Sequence, residues 1–295
     1  MRNYILNIAN YKIRFENPSG DLDLIPSERF QRFISENNDY DVLIKVYSNG
    51  SKLPPDGVKV FSAPYVEEIN GIRIKKNDKF WSVFRNEDEL YIQTDFPFSS
   101  EKRSGTLRFS LDNKIWELFI TGNGPTVDPM DYPLDGLILY YLTAIHGDIM
   151  IHASGVSFEG KGYIFSGVSG KGKTTMTELW DKHGARIIHD DRLIIRKTLT
   201  GFSMYNTPVY RNDEPRESTL DIIFIIDHGT ENELIPVRGA SAITSLITNC
   251  IQHNWSEAII KRLLDSASGI CTSVPFYHLW FRADQSIIDY LLQHE

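Results

Sequence analysis

The chain has 295 residues, 41% of them hydrophobic and 24% charged, with a formal net charge of −8. That length accommodates one large or two ordinary domains with a sizeable core, and the composition is that of an ordinary globular protein. The acidic balance argues against a bulk electrostatic grip on nucleic acid and leaves only a local basic patch, so nucleic acid is not an expected partner. No apolar run approaches the roughly 20 residues that cross a bilayer, so no membrane partner is expected. Met1 to Asn10 alternates polar and apolar residues and lacks the apolar stretch of a signal peptide. Cys250 and Cys271, the only cysteines, make neither a disulfide framework nor a zinc spacing. Two reduced thiols in a cytoplasmic protein are the expectation.

Residues 1–125 read as short strands. Tyr40 to Tyr47 ends at the turn signal Ser48-Asn49-Gly50. Asp78 to Arg85 and Glu89 to Thr94 flank the polar Asn86-Glu87-Asp88, and Thr106 to Leu111 and Ile115 to Ile120 flank Asp112-Asn113-Lys114. The pattern is that of a mainly antiparallel, meander-like β domain whose aromatic residues form its core. Gly122-Asn123-Gly124-Pro125 breaks it and marks a boundary, so residues 126–295 form a second domain.

That second domain opens with a helix, in which Leu134, Leu137, Ile138 and Tyr141 recur at helical spacing. Strands follow at Ile149 to Val156 and Lys161 to Ser166, with Glu159-Gly160 turning between them. A helix runs from Lys173 to about His183 and stops at Gly184. A strand pair is expected at Ala185 to Ile188 and Arg192 to Ile195. Leu220 to Ile226 is apolar almost throughout, as a buried strand is. Helices from about Ser241 to Cys250 and Ser286 to Gln293 close the chain.

Between the second strand and the helix lies Gly167-Val168-Ser169-Gly170-Lys171-Gly172-Lys173-Thr174, a complete Gly-x-x-x-x-Gly-Lys-Thr pattern in a strand-loop-helix context. Gly167 and Gly172 let the backbone wrap closely around phosphate. Successive amides of Ser169, Gly170, Lys171 and Gly172 would form an anion-binding nest, and the helix start at Lys173, Thr174 and Thr175 adds its positive dipole end. Lys173 can reach the β- and γ-phosphates, the Thr174 hydroxyl can ligate Mg²⁺, and Lys171 adds local positive charge. The alternative is a glycine-rich surface turn.

His189-Asp190-Asp191 follows a strand end. One carboxylate can hold a metal bridging the β- and γ-phosphates and its neighbour can accept the proton of an attacking hydroxyl. The alternative is an Asp-rich tight turn. His152 lies in the strand before the loop; a hairpin would bring it near the loop, where it could position a carboxylate or stabilise the transferring group. The alternative is a satisfied core histidine.

Together, Ile151-His152-Ala153-Ser154-Gly155-Val156, the loop with Thr175, and Ile188-His189-Asp190-Asp191-Arg192 resemble the catalytic domain of the HPr kinase/phosphorylase family. They resemble still more the HPr-kinase-related proteins with a β-rich N-terminal region, often found at peptide-modification loci. The resemblance spans roughly residues 130 to 290. It implies an α/β (α+β) fold like the nucleotide domain of phosphoenolpyruvate carboxykinase, with a mixed twisted sheet, and it implies ATP, Mg²⁺ and transfer to a hydroxyl. Carried over, Asp190 is the catalytic base, helped by His152, and Asp191 is the metal ligand. Tyr205 to Arg211 resembles the Thr-Pro-Trp segment of related kinases, with Val209 where the aromatic usually stands; Arg211 is either a phosphate contact or solvated. The C-terminal glycine-rich signature of the bifunctional enzymes has no counterpart. Residues 271–282, with Pro275, Phe276, Tyr277 and Arg282, fit the related proteins better.

The expected function is an ATP- and Mg²⁺-dependent kinase acting on a hydroxyl of a peptide, protein or small molecule. The β domain would recognise the acceptor or build a homo-oligomer. A non-catalytic nucleotide-binding scaffold and a simple NTPase are the alternatives.

Overall fold

The structure, a computed structural model of the full chain, describes residues 3–48, 53–54, 56–69, 72–98, 102–122, 124–251, 253 and 255–294. Asn49 and Gly50 of the first expected turn, and Asn123 of the expected boundary, lie outside the described residues. The chain divides into two compact units, Met1–Tyr141 and Leu142–Glu295.

The first unit is built on strands β1 (Asn3–Ile8), β2 (Tyr11–Glu16), β3 (Asp23–Leu24), β4 (Val42–Ser48), β5 (Val58–Ile69), β6 (Ile72–Asn86), β7 (Glu89–Asp95), β8 (Ser104–Phe109), β9 (Ile115–Thr121) and β10 (Thr126–Val127). Eight of them form one sheet in the order β1-β2-β4-β9-β8-β7-β6-β5. β6 to β9 are the expected antiparallel meander, and β5, which was not expected, extends it. β4 is not part of it: it lies between β2 and β9, parallel to both. Sequence patterning carries no information on strand direction, which is decided by the non-local pairing. β10 pairs with β3, so the chain just past Gly124 still belongs to this unit. Tyr11, Phe15, Phe30 and Trp116 are fully buried, the core role expected of the aromatics.

Helix α1 (Leu134–His146) carries the division between the units. The second unit continues with β11 (Ile149–Phe158), β12 (Lys161–Ser166), α2 (Lys173–Lys182), β13 (Arg186–His189), β14 (Arg192–Thr198), β15 (Gly201–Asn206), β16 (Glu217–Thr219), β17 (Ile222–His228), β18 (Glu233–Pro236), α3 (Gly239–Asn249), α4 (Glu257–Ser273), β19 (Phe276–Phe281) and α5 (Ser286–His294). Its sheet has the order β16-β15-β14-β11-β12-β17-β19-β18, with β13 also on β11. The sheet is mixed. β11 to β12 is an antiparallel hairpin, whereas β12-β17 and β17-β19 are parallel. The mixed α/β architecture expected from the sequence is therefore present.

Alternation along the central strands sends successive side chains to opposite faces. Ile164 and Ile223 pack with Ala242 and Leu246 of α3 and with Ala267 and Ile270 of α4. On the other face Tyr163, Phe165, Phe224 and Ile226 pack with Met176 and Trp180 of α2 and Ile287 and Ile288 of α5. Phe165 stacks on Phe224 at 5.1 Å and Tyr163 on Trp180 at 5.2 Å. Burying each such large apolar side chain is worth about 1.5–3 kcal/mol, so the sheet holding the loop is firmly anchored from both sides. Among the described residues no helix is long and apolar enough to cross a membrane.

Candidate functional site

The β11–β12 hairpin turns at Glu159 and Gly160, both with positive φ (49° and 83°), which suits the right-handed strand twist. Its register places Ala153 opposite Ser166, and Ser166 Oγ donates to the His152 carbonyl at 3.0 Å. His152 is thereby fixed beside the point where β12 gives way to the glycine-rich loop.

The loop closes over the carboxyl ends of the parallel strands. A Cβ on Gly167 would stand 3.0 Å from the Ile226 carbonyl of β17, so close backbone approach, and not a positive φ, explains this glycine. Gly170 and Gly172 are both left-handed, at φ 83° and 90°. Gly172 is also confined, because an added Cβ would meet Phe281 Cζ at 2.7 Å, whereas Gly170 faces open space. Gly172→Ala is expected to destabilise the protein by about 1–3 kcal/mol and Gly170→Ala by only the backbone share, about 1–2 kcal/mol. Urea unfolding of the two variants measures the difference.

Gly172 caps α2 without a side-chain bond and no acidic residue stands in the first turn. The first α-helical bond runs from the Met176 amide to the Gly172 carbonyl, which leaves the amides before it without intrahelical partners. Such a helix start favours anions. Lys173 is 7% exposed, and its ammonium donates to the carbonyls of Gly167 (2.7 Å) and Val168 (3.3 Å). Burial pulls its pKa down, and the negative charge of Asp191 opposes that pull.

The acidic pair is not in a tight turn, and β13 and β14 do not pair with each other. β13 and β14 both run antiparallel along β11, with Gly155 opposite His189 and His152 opposite Arg192. The same number of residues lies between these pairs on each strand, and the Ala153 amide donates to the Asp191 carbonyl at 3.0 Å. β13 and β14 are thus one line of chain, distorted at Asp190-Asp191. In a regular strand, neighbours point to opposite faces; the distortion lets both carboxylates line one cavity.

A buried support lies behind them. His189 Nδ1 accepts the amides of Asp191 (3.1 Å) and Arg192 (3.2 Å), so the ring proton sits on Nε2, which faces Asp213 Oδ2 at 3.3 Å. Asp213 also accepts the amides of Val209 and Tyr210, at 2.8 and 2.7 Å. Desolvation, the largest influence on Asp213, pushes its pKa up; the bonds from His189, Tyr210 and Val209 together outweigh it and hold the carboxyl below its usual value. A depressed folded-state pKa contributes stability above the unfolded value, near pH 4, that is lost as pH falls through the folded value. Asp213→Asn is expected to flatten the acid limb of the stability profile in part, read by urea unfolding across about pH 2–6.

One cavity of about 420 Å³ is lined by His152, Ser169, Gly170, Gly172, Lys173, Thr174, Thr175, Asp190, Asp191, Tyr210 and His228. Most of the residues singled out in the sequence are therefore brought together. Gly167 and Lys171 are not on its wall. Lys171 instead pairs with Asp227 at the end of β17 (2.5 Å), so its charge is spent there. Arg211 is exposed and also off the wall. His152 Nδ1 lies 3.2 Å from Asp191 Oδ1, so the histidine partners Asp191 and not Asp190, the partner expected from the sequence. That bond is the largest influence on Asp191, holding its carboxyl below the usual value against the opposing effect of burial. Tyr210, His228 and the His189–Asp213 support had no assigned role in the sequence reading. Tyr210 lines the cavity with Asp190, and its ring stacks on His189 at 5.3 Å and 20°. Burial, followed by the charges of Asp190 and Asp191, pushes its phenol up to about 12.

No protein-family model matches the chain, and no curated protein matches it. Among solved structures it is similar to the HPr(Ser) kinase/phosphatase from Coxiella burnetii, at 10% identity and a TM-score of 0.32, covering 49% of this chain and 93% of that one. The likeness is distant and carries no weight for the chemistry of this chain.

Proposed function

We propose that the second unit binds ATP with Mg²⁺ in this cavity and transfers the γ-phosphoryl group to a hydroxyl of a peptide, protein or small molecule. The observation that carries the reading is the joint lining of one cavity by a helix start, a buried lysine, a hydroxyl and two carboxylates. In this reading Gly167 to Thr174 is a phosphate loop. Lys173 meets the β- and γ-phosphates, and the amides of the loop and helix start neutralise developing charge.

The donor chemistry fits Mg²⁺, which takes a few protein oxygens and completes its shell with phosphates and water. Thr174 and Asp191 would hold it. Among the described residues no group of three or more His, Cys, Asp and Glu could cage a metal alone. When bound, Mg²⁺ would supply charge neutralisation on the phosphates. Asp191, kept ionised by His152, suits that side of the cavity, and its charge acts on Lys173. Asp190, on the Tyr210 side, is then the base that accepts the acceptor's proton. His152 orients Asp191.

The finer fold assignment, a nucleotide domain like that of phosphoenolpyruvate carboxykinase, belongs to the same reading. So do acceptor recognition or assembly by the first unit, and residence in the cytoplasm, where the free Cys250 and Cys271 stay reduced. Incubation with γ-labelled ATP and candidate hydroxyl acceptors tests the reaction. Label on a hydroxyl, absent with Asp190→Asn, is the expected result. Tight ATP binding with neither transfer nor hydrolysis would make the protein a scaffold, and release of inorganic phosphate alone would make it an NTPase.

A further inference from the structure

We propose that Tyr210 is a modification site, phosphorylated in cis by the ATP held in its own cavity; this rests on the ATP-binding reading above. Four hydroxyl side chains line the cavity: Ser169, Thr174, Thr175 and Tyr210. The first three belong to the loop and helix start that would grip the phosphates. Tyr210 comes instead from the β15–β16 connection and lines the cavity with Asp190, the chain neighbour of the His189 on which its ring stacks. A hydroxyl on the same cavity wall as the carboxylate that serves as base stands where an acceptor hydroxyl must stand.

The phenol is also held there. Its ring stacks on His189, which is buried and faces Asp213. The Tyr210 amide is bonded to the same Asp213 carboxylate at 2.7 Å. This double tie limits rotation of the ring away from the wall, a positioning effect of the kind that makes intramolecular transfer efficient. The residue is nevertheless 49% exposed, so the ring edge is open to whatever fills the cavity.

The chemistry balances with ATP as the only co-reactant. The phenol oxygen forms a bond to the γ-phosphorus, the bond from that phosphorus to the bridging oxygen breaks, ADP leaves, and the phenolic proton passes to Asp190. A base is required because the phenol is protonated at neutral pH. The single phenol accepts one phosphoryl group, so the event is limited to one per chain, and the product carries about −1.5 to −2 charges.

The test incubates the full-length protein with Mg²⁺ and ATP and maps phosphate by intact mass and peptide mass spectrometry. A parallel calorimetric titration uses a non-hydrolysable ATP analogue. The expected result is one phosphoryl group per chain on Tyr210, formed at a first-order rate independent of protein concentration. It should be absent from Tyr210→Phe, which keeps the stacking ring, and from Asp190→Asn. If the analogue binds and Tyr210 stays unmodified, or the phosphate maps elsewhere, the proposal is overturned while the ATP reading stands. If the analogue does not bind, both fall. The wild-type map decides the site even where a variant misfolds.

Discussion

Lys173→Ala is expected to weaken ATP binding by roughly 10- to 100-fold, the cost of losing a charge-assisted hydrogen bond to phosphate. The effect should be large because the ammonium is buried among loop carbonyls, where screening by water is weak. The lysine has two roles to separate. It ties the Gly167 and Val168 carbonyls, and it would neutralise the phosphates. Lys173→Met keeps most of the stem and removes the charge. If the charge matters, Met and Ala variants lose similar affinity in calorimetry. If the stem's packing matters, Met recovers most of it. Unchanged affinity in both would remove the loop from the account.

Asp190→Asn is expected to slow phosphoryl transfer by roughly 10²- to 10⁴-fold, the usual worth of a general base, with a much smaller change in nucleotide affinity. Asp191→Asn should behave differently. Asp191 is bonded to His152 and its charge acts on Lys173, so its loss should weaken the Mg²⁺-dependent part of ATP binding. Calorimetry with and without Mg²⁺, run beside a transfer assay, separates the two carboxylates. If Asp190→Asn lost affinity and Asp191→Asn only rate, the roles would be exchanged.

The local parts of this site were legible in the sequence. An apolar strand, a glycine-rich loop and a helix beginning at Lys173 are consecutive, and each reports on its own backbone. The support behind the carboxylates was not legible. His189, Asp213 and Tyr210 meet only because β15 pairs with β14, which continues the line of β13, and Lys171 meets Asp227 only because β12 and β17 run parallel. Strand direction and register are tertiary quantities. The Asp190-Asp191 pair illustrates the point: an Asp-rich turn and a distorted strand have the same letters, and only pairing along β11 distinguishes them. Helix α4 is a different case. Ser256 caps it by accepting the Ile259 amide, and Ile259, Leu263, Ala267 and Ile270 repeat at helical spacing. That signal was present in the sequence, diluted by the polar residues between them and by Gly269.

The central claim is that the loop and the two aspartates serve one bound nucleotide. The most direct measurement is a crystal structure of the protein with Mg²⁺ and a non-hydrolysable ATP analogue. The account predicts the triphosphate along Gly167 to Thr174, the terminal phosphate in contact with Lys173, and Asp190 and Asp191 facing it. A nucleotide bound elsewhere on the chain, or a terminal phosphate turned away from both aspartates, would contradict it.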